Sequence, residues 1–332
     1  MSYIRTSVGN GVGEIVLDRP KALNALDQSM IDDMYAVLLR WADDAEVETV
    51  LVTSAGDRAF CAGGDIRAIR DHALAGETDE ITGYFSSEYT LDQLVAEYPK
   101  PYVALVDGAA MGGGLGISVH GEIRVVTERS VIAMPETAIG FFPDIGATYF
   151  LPRLPVGVGT WLGLTGSRIR GADALAVGLA THFVSSTGMD DLAGAIRSGV
   201  SLRDALSEHT EQPESTVPLD KIAEYFADAN VTAILGGLRG AIGDEWCASM
   251  VTALEAASPT SLVVTAALLE LGAHTPLDEC FERELHAAER ITLTPDFAEG
   301  VRAVLVDKDR TPSFSPGRLD EVDIDRVSSI IA

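Results

Sequence analysis

The sequence predicts an α/β fold followed by a mainly helical region, and two patterns support that prediction. Over residues 1–185, short runs rich in β-branched residues alternate with segments whose apolar residues recur at helical spacing. Over residues 186–332 helical spacing dominates. Strands that alternate with helices are typical of layered α/β proteins. We therefore expect an α/β core at 1–185 and a mainly helical C-terminal region at 186–332.

The first elements are a strand pair and a helix. The runs "YIRTSV" and "GVGEIVLD" flank Gly9-Asn10-Gly11, a turn signal typical of a hairpin. Asp27 is well placed to cap the first helix. Apolar residues then recur at helical spacing, at Met30, Met34, Val37, Leu38 and Trp41.

Further strands and helices follow in order. The strand-like runs are 49–55, 102–108, 122–128 and 130–134. The stretch 207–218 has two prolines and almost no large apolar residue, so it is predicted to be a loop or linker. Five segments beyond it carry an apolar stripe, at 219–227, 231–243, 245–257, 259–273 and 276–291. Ser258-Pro259 has the form of an N-cap followed by proline at the first helical position.

Composition excludes several classes of function. The 332 residues carry a net charge of −26, so nucleic acid and anionic membrane are poor partners, although a small anionic ligand can bind through local cations and N–H groups. No apolar run approaches the length of about 18 residues that spans a membrane. The N-terminus resembles neither a signal nor a transit peptide. Three scattered cysteines, Cys61, Cys247 and Cys280, fit a reducing compartment, and we expect a cytoplasmic protein with no metal site.

Two glycine-rich turns are candidates for ligand binding. They are "FCAGGDI" (60–66) and "DGAAMGGGLGISVHG" (107–121), and Gly112, Gly113 and Gly114 of the second immediately precede a plausible short helix at 115–120. A helix N-terminus has unpaired N–H groups, and two such groups converging on one point form an oxyanion hole. Tight packing of a glycine-rich turn is the alternative. Neither turn matches a Walker A loop or a dinucleotide-binding fingerprint.

Two carboxylates interrupt the apolar segment "MPETAIGFFPDIG" (134–146). Pro135 suits a first helical position, which places Glu136 in the first turn of a helix, and Pro143-Asp144 could open the next helix in the same way. A helix start stabilised by the dipole and an N-cap are the structural alternatives for the two acids. Carboxylates in apolar surroundings near backbone donors are also how acid–base and nucleophilic chemistry on a carbonyl is assembled.

Several of these motifs together resemble the crotonase (enoyl-CoA hydratase/isomerase) superfamily. They are "RPKALNAL" (19–26), "AFCAGGDI" (59–66), "KPYVALVDGAAMGGGLGISVHG" (100–121) and "MPETAIGFFPDIGATYFLPRL" (134–154). The last of them, with "SPTSL" (258–262) and "DFAEGVRAVLVDKDRTPSFSP" (296–316), is similar to the 3-hydroxyisobutyryl-CoA hydrolase branch. The resemblance covers nearly the whole chain and implies a crotonase-like spiral of ββα units with a C-terminal helical region.

The resemblance also implies roles for individual residues. The N–H groups of Gly64 and Gly113 hold the thioester oxygen of an acyl-CoA. Glu136 matches the catalytic glutamate of the superfamily, Asp144 the second acid of the hydrolase branch, and Glu88 an acidic substrate-site position. The path of the CoA moiety is lined by Lys21, Ala22, Ala62, Asp65 and Ile66.

One departure from the hydratases bears on the reaction. Hydratases keep a second catalytic glutamate where this chain has Gly116, and adding water to a C=C bond uses two carboxylates. The resemblance therefore implies hydrolysis of a short branched or β-hydroxy acyl-CoA thioester, in valine catabolism, with Glu136 as general base or as nucleophile and with no cofactor. A hydratase or isomerase, with another acid such as Glu122, and a non-catalytic CoA-binding subunit are the alternatives. The acyl group and the oligomeric state stay open, although trimers are common in the superfamily and a homo-oligomer is possible.

Overall fold

Strands and helices alternate along the first half of the chain in the computed structural model, which describes residues 3–56, 58–241 and 243–332. Within these residues the strands are β1 (Ile4–Gly9), β2 (Val12–Leu17), β3 (Thr49–Ser54), β4 (Ala59–Cys61), β5 (Tyr102–Val106), β6 (Ala109–Met111), β7 (Ile123–Val126), β8 (Val131–Ala133), β9 (Ile169–Arg170) and β10 (His182–Phe183). Every element described after β10 is helical, as expected for the C-terminal region.

The α-helices of the described residues are α1 (Gln28–Ala42), α2 (Ile66–Ala75), α3 (Thr78–Ala96), α4 (Gly113–Val119), α5 (Ala147–Phe150), α6 (Val158–Thr165), α7 (Gly171–Val177), α8 (Met189–Arg197), α9 (Leu202–His209), α10 (Leu219–Phe226), α11 (Val231–Gly240), α12 (Glu245–Glu255), α13 (Pro259–Gly272), α14 (Leu277–Ile291), α15 (Pro295–Val301) and α16 (Ile324–Ile331). Short 3-10 turns lie at Pro20–Ala22, Glu136–Ile139, Leu151–Arg153 and Leu319–Glu321, and a π-helical turn at Arg302–Val306.

The chain forms two compact units, each assembled from separate stretches. The first contains the described residues up to Gly64 together with Ser87–Ile132 and Arg168–Val217. The second contains Asp65–Ser86, Ala133–Ser167 and Pro218–Ala332. These units are defined by contacts and not by a single cut in the sequence, and the predicted division at residue 185 stays a prediction.

The hairpin at the start of the chain is confirmed. β1 and β2 pair antiparallel, with Gly9 opposite Val12. The two loop residues, Asn10 and Gly11, have φ angles of 51° and 80°. Positive φ at both positions is what a two-residue type I′ turn requires, and asparagine followed by glycine tolerates it best.

The other strands build two sheets. Among the described residues the larger sheet has the order β1-β2-β3-β5-β7-β10, and the smaller one has the order β4-β6-β8-β9. β2, β3, β5, β7 and β10 run parallel in the larger sheet. Buried residues of this sheet, including Val103 and Val125, pack with Leu192 and Ile196 of α8 in one core cluster.

The chain order of these strands confirms the predicted repeat. β3 is followed by β4 and α2, β5 by β6 and α4, and β7 by β8 and the 3-10 turn at 136–139. In each repeat the first strand joins the larger sheet and the second joins the smaller one. This is the expected spiral of ββα units.

The predicted C-terminal helices are confirmed as α10 to α14, with ends that differ by at most a few residues. Ser258 caps α13 by accepting a hydrogen bond from the N–H of Ser261, and Asp27 caps α1 through Met30. The loop predicted at 207–218 begins later, because α9 extends to His209 with Ala205 and Leu206 buried in the core cluster.

Two further expectations concern membranes and cysteines. No single helix of the described residues is long and apolar enough to cross a membrane. Helices α12 and α13 together have the length and composition of a membrane span, but the angle between them is 106°. Cys61, Cys247 and Cys280 are free and buried, as their sequence context predicts.

Candidate active site

A buried asparagine fastens the "RPKALNAL" segment in the first unit. The side-chain amide of Asn24 donates to the carbonyls of Ala59 and Phe60, at 3.2 and 3.1 Å. The N–H of Leu26 donates to the carbonyl of Gly63 at 2.8 Å. Asn24 itself is in the left-handed region, with φ of 57°. Segment 19–26 is thereby fixed against the first glycine-rich turn.

Lys21 and Ala22, predicted to line the CoA path, are brought beside Ala62 by these contacts. They belong to the 3-10 turn Pro20–Ala22, and the next residue, Leu23, accepts a 3.0 Å hydrogen bond from the N–H of Ala62. Lys21 is exposed, while Ala22 and Ala62 are half-buried. A cation and two small side chains therefore line one accessible strip.

Gly64 and Gly113 approach one another in the same unit. Gly113 is the first residue of α4, with Gly112 as its N-cap. The N–H at this position has no acceptor within the helix. The backbone nitrogen of Gly64 lies 3.3 Å from the point that a Cβ atom of residue 113 would occupy. Two glycine N–H groups thus lie close enough together to serve one oxygen atom.

Asp65 and Ile66 follow Gly64 directly. Asp65 is the N-cap residue of α2, without a side-chain capping hydrogen bond, and Ile66 is its first helical residue. Both are half-buried. Both side chains therefore keep part of their surface exposed to solvent.

Glu88 and Asp92 lie one turn apart on α3, and both are buried, with 2% and 0% of their surface exposed. A side chain at position 113 would collide with the carboxylate of Glu88. Burial is the main cause that raises the pKa of the Cys61 thiol to about 12, and the charges of Glu88 and Asp92 raise it further. Two acids therefore face α4 and the thiol from one helix face. Sequence reasoning identified Glu88 but missed Asp92.

Asp92 also explains the glycine at position 116. A Cβ atom there would lie 2.6 Å from Oδ1 and 2.7 Å from Cγ of Asp92, distances that real Cβ contacts essentially never reach. In this chain, therefore, a side chain at the position that the resemblance assigns to the second glutamate of hydratases would have to displace the buried carboxylate of Asp92. Glu122, the other candidate for that acid, is exposed and directly precedes β7.

Glu136 lies in the second unit at the start of the 3-10 turn Glu136–Ile139 and is 7% exposed. The predicted first-turn position is confirmed. However, the helix is of the 3-10 type, and Pro135 occupies the N-cap and not the first helical position. Thr137 holds the turn, because its hydroxyl donates to the carbonyl of Leu164 at 3.1 Å and its carbonyl accepts from the N–H of Ser258 at 3.0 Å.

The turn after Glu136 is fixed by Asp296. Gly140, with φ of 73°, lets the backbone pass so close to residues 296–297 that a Cβ atom would lie 2.7 Å from the nitrogen of Phe297. The buried carboxylate of Asp296 accepts from the hydroxyl of Ser258 at 2.6 Å and from the N–H of Ser315 at 2.7 Å. The motifs "SPTSL" and "DFAEG" therefore support the Glu136 turn.

Between the two acids of segment 134–146, the chain is anchored by aromatic packing. The ring of Phe141 stacks on Phe85 and on Phe142, with centroids 5.5 and 4.7 Å apart. Both phenylalanines of the segment are fully buried. The apolar residues thus serve the core, while the acids begin and end the segment between them.

Asp144 is 5% exposed, but it does not open a helix. Helix α5 begins at Ala147 with Gly146 as its N-cap, so the predicted capping role of Asp144 is wrong. The reason is the backbone: Ile145 and Gly146 have φ angles of 58° and 77°, outside the helical region. The carbonyl of Asp144 accepts from the N–H of Ala147 at 2.9 Å and closes a turn instead.

Glu284 of α14 lies beneath this turn and was not identified from the sequence. Its carboxylate accepts from the N–H of Gly146 at 2.7 Å, the N–H of Thr148 at 2.9 Å and the hydroxyl of Thr148 at 2.6 Å. Burial is the main cause that raises the pKa of Glu284 to about 8, and the charge of Asp144 raises it further. The available signal was an acid within the buried stripe of a helix, alongside Cys280, Phe281, Ala287, Ala288 and Ile291.

Comparison with protein families identifies relatives along almost the entire chain. A family model described as enoyl-CoA hydratase/isomerase matches residues 12–331. A 3-hydroxyisobutyryl-CoA hydrolase, mitochondrial, from Gallus gallus is 42% identical over 325 residues, which cover 94% of this chain and 84% of that protein. The protein of the same name from Dictyostelium discoideum is 39% identical, over 95% of this chain and 88% of that protein.

Solved structures agree on the fold. A carnitinyl-CoA dehydratase from Mycobacterium thermoresistibile superimposes with a TM-score of 0.94 at 35% identity, covering 100% of this chain and 97% of that one. An enoyl-CoA hydratase from Rhodobacter sphaeroides has a TM-score of 0.92 at 37% identity, with the same coverage. The crotonase fold predicted from the motifs is confirmed.

The geometry at position 116 predicts a compensated substitution. Gly116→Ala should lower the free energy of unfolding by about 1–3 kcal/mol or more, because the core is overpacked against Asp92. Adding Asp92→Ala should restore part of that loss, with a coupling of at least about 1 kcal/mol in a double-mutant cycle followed by urea denaturation. Gly194→Ala, in a helix with nothing within 4 Å of the new methyl group, is the control and should not destabilise. Strictly additive effects at 116 and 92 would contradict the steric argument.

The raised pKa of Glu284 predicts a pH dependence of stability. Its folded-state pKa of about 8 lies above the ordinary value of 4.5. The folded protein therefore binds more protons within that window, and stability falls as the pH rises through it. Glu284→Gln should reduce the difference in unfolding free energy between about pH 5.5 and 8.5.

A carboxylate with the opposite shift provides the control for this pH prediction. Hydrogen bonds from Arg302 hold the pKa of Glu299 at about 2, so the stabilisation by Glu299 is lost only as the pH falls from 4.5 towards 2. Glu299→Gln should leave the dependence between about pH 5.5 and 8.5 unchanged. An unaltered profile in Glu284→Gln would show that Glu284 does not titrate in that window.

Proposed function

The chain belongs to the enoyl-CoA hydratase/isomerase family, and we propose that it is a thioester hydrolase that converts 3-hydroxyisobutyryl-CoA to 3-hydroxyisobutyrate and CoA. One observation carries the proposal: Glu136 and Asp144 are retained, while Asp92 fills the space in which a second hydratase acid would stand. The names of the curated relatives support the same activity. This substrate would place the reaction in valine catabolism.

Hydration of a C=C bond is the second candidate, since the two similar structures are those of a dehydratase and a hydratase. Those proteins are other chains, 35% and 37% identical to this one. Hydration uses two carboxylates to hold water and transfer its proton. In this chain, position 116 cannot supply one of them, which favours hydrolysis.

The first step of hydrolysis places negative charge on the thioester oxygen. The N–H groups of Gly64 and Gly113 are assigned to that oxygen, and the backbone nitrogen of Gly64 lies 3.3 Å from the Cβ position of residue 113. Loss of one such donor typically costs about 2.7–4 kcal/mol of transition-state stabilisation. Preorganised backbone donors require no reorientation during the reaction.

Glu136 supplies the attacking group by one of two balanced routes. As general base it takes a proton from water, whose oxygen bonds to the carbonyl carbon while the C–S bond breaks and CoA leaves as a thiolate that is then protonated. As nucleophile it bonds to the same carbon, expels CoA and forms a mixed anhydride that water hydrolyses. Both routes need an ionised carboxylate near the carbonyl carbon.

The other residues are assigned to substrate recognition. Asp144 binds the 3-hydroxyl group of the acyl chain or assists proton transfer, and Glu88 contributes a further acidic contact beside Gly113. The resemblance assigns the CoA moiety to Lys21, Ala22, Ala62, Asp65 and Ile66. Lys21 is the exposed cation of that set.

Three further parts of the function are also proposals. These residues suffice for thioester hydrolysis without a metal or redox cofactor. A homo-oligomer is proposed only because trimers are common in the superfamily that the chain resembles. The expected cytoplasmic location is not supported by the names of the relatives, which place those proteins in mitochondria; buried free cysteines fit any reducing compartment.

A CoA-release assay tests the activity. The purified protein, mixed with 3-hydroxyisobutyryl-CoA and a thiol reagent, should release free CoA, and it should hydrate crotonyl-CoA poorly because position 116 carries no acid. A non-catalytic CoA-binding subunit would do neither. Efficient hydration of crotonyl-CoA without CoA release from 3-hydroxyisobutyryl-CoA would overturn the proposal.

Replacing Glu136 tests the chemistry. Glu136→Gln should lower kcat by at least about 10²-fold, since an amide can neither accept the proton nor attack the carbonyl. The fold should persist, because the main chain of Glu136 makes the hydrogen bond that caps its turn. Glu122→Gln, at an exposed glutamate, is the control and should keep full activity. If the Glu136→Gln variant kept activity within a few-fold of the parent, Glu136 would have only a structural role at the start of its helical turn.

A further inference from the structure

We propose that Glu284 is a positioning residue for the reaction: its carboxylate fixes the turn that immediately follows Asp144 and so directs the Asp144 side chain. The inference rests on the proposed function, in which Asp144 is the second acid. It concerns residues of the second unit alone. Three observations support it: the strained backbone of Ile145 and Gly146, the hydrogen bonds by which Glu284 holds that backbone, and the free-energy cost of burying the Glu284 carboxyl group.

The strained backbone begins at Ile145. Its φ angle of 58° lies in the left-handed region, which a β-branched residue adopts only as a genuine outlier. Gly146 follows with φ of 77°. A residue held in such a conformation is destabilising and persists only where the surroundings determine it. Something must therefore hold the turn against relaxation.

Glu284 provides that restraint. Its Oε2 atom accepts from the N–H of Gly146 at 2.7 Å, and its Oε1 atom accepts from the N–H and the hydroxyl of Thr148, at 2.9 and 2.6 Å. The three donors lie on Gly146 and Thr148, the residues before and after Ala147, where the turn ends and α5 begins. One side chain on α14 thus sets the orientation of the backbone just beyond Asp144.

The hydrogen bonds require an acceptor at both side-chain oxygens of residue 284. Donors approach both oxygens, whereas a glutamine has one acceptor oxygen and would direct an N–H towards the third donor. A fully buried carboxylate is also costly, and the neighbours of Glu284 on the buried face of α14 are apolar or small. A costly group in a core position, with all its hydrogen bonds directed at one turn, indicates that the shape of that turn matters.

The consequence for catalysis follows from the tolerance of active sites. Catalytic groups must stay within about 0.5 Å of their productive position, and a displacement of about 1 Å can cost about 10²-fold in rate. Asp144 is followed directly by the strained pair, so a relaxed turn would redirect its side chain. Glu284 therefore acts on the reaction through Asp144.

A double-mutant cycle tests this inference, with CoA release from 3-hydroxyisobutyryl-CoA measured well below the melting temperature of every variant. Glu284→Gln should lower kcat at least about tenfold while KM changes less, as expected when positioning and not binding is lost. In an Asp144→Asn background, Glu284→Gln should cause no further loss of kcat, because the residue through which it acts is already disabled.

A matched control separates positioning from stability. Asp173 also accepts from one hydroxyl and two N–H groups, those of Ser215, Thr216 and Val217, at 2.8, 2.8 and 3.1 Å. It holds a loop of the first unit that is given no role in the reaction. Because all three bonds end at Oδ1, an oxygen that asparagine would keep, the control is Asp173→Ala, which removes the acceptor and should lower the melting temperature while leaving kcat unchanged.

A second variant perturbs the same turn while Glu284 stays in place. Gly146→Ala puts a side chain on a residue with φ of 77°, a conformation that alanine adopts only with strain. It should lower kcat in the parent and not in the Asp144→Asn background. This variant keeps the inference testable if Glu284→Gln does not fold.

The outcomes distinguish the inference from the proposed function. Unchanged turnover in Asp144→Asn alone would remove Asp144 from the catalytic residues and count against the proposed function. A loss in Asp144→Asn, combined with unchanged kcat in Glu284→Gln and Gly146→Ala, would overturn the inference and leave the function standing. Independent, multiplicative losses in the cycle would also overturn it, since they would show that Glu284 acts on the fold in general.

Discussion

The cost of burying a carboxylate organises much of this structure. An ionised acid removed from water without compensation costs several kcal/mol, so each buried acid has to be matched by donors or by a shifted proton equilibrium. In the second unit, Asp296 meets this demand through Ser258 and Ser315, and Glu284 meets it through Gly146 and Thr148. These bonds connect segments far apart in sequence. The same interactions that compensate the acids therefore fix the two turns that follow Glu136 and Asp144.

In the first unit two buried acids are accommodated sterically, because the neighbouring helix lacks side chains where it faces them. Glu88 and Asp92 face α4 at positions 113 and 116, where a Cβ atom would overlap their carboxylates. Glycine at both positions allows the two helices to approach. The proposed oxyanion role of the Gly113 N–H would favour glycine at the same position, so packing and the proposed catalysis favour one residue type. A glycine-rich turn alone cannot show which of the two applies.

The sequence predicted the parts of the structure that depend on local pattern. The hairpin at Asn10-Gly11, the caps at Asp27 and Ser258 and the helices after residue 218 all follow from short-range rules. Glu136 and Asp144 were found because acids are conspicuous in an apolar segment. Glu284 was missed because its partners are backbone N–H groups 136 and 138 residues away. The capping role predicted for Asp144 was wrong, because no local sequence signal predicts the positive φ of Ile145 that delays the start of the helix to Ala147.

The contacts at position 116 bear on how hydration and hydrolysis are separated within one fold. If Gly116 merely lacked an acid, a single substitution to glutamate would supply it. Because the Asp92 carboxylate lies 2.6 Å from the required Cβ position, that substitution would first collide with a buried charge, and α3 would have to change as well. In this chain, the introduction of an acid at position 116 would therefore involve a pair of positions on two helices, 116 on α4 and 92 on α3.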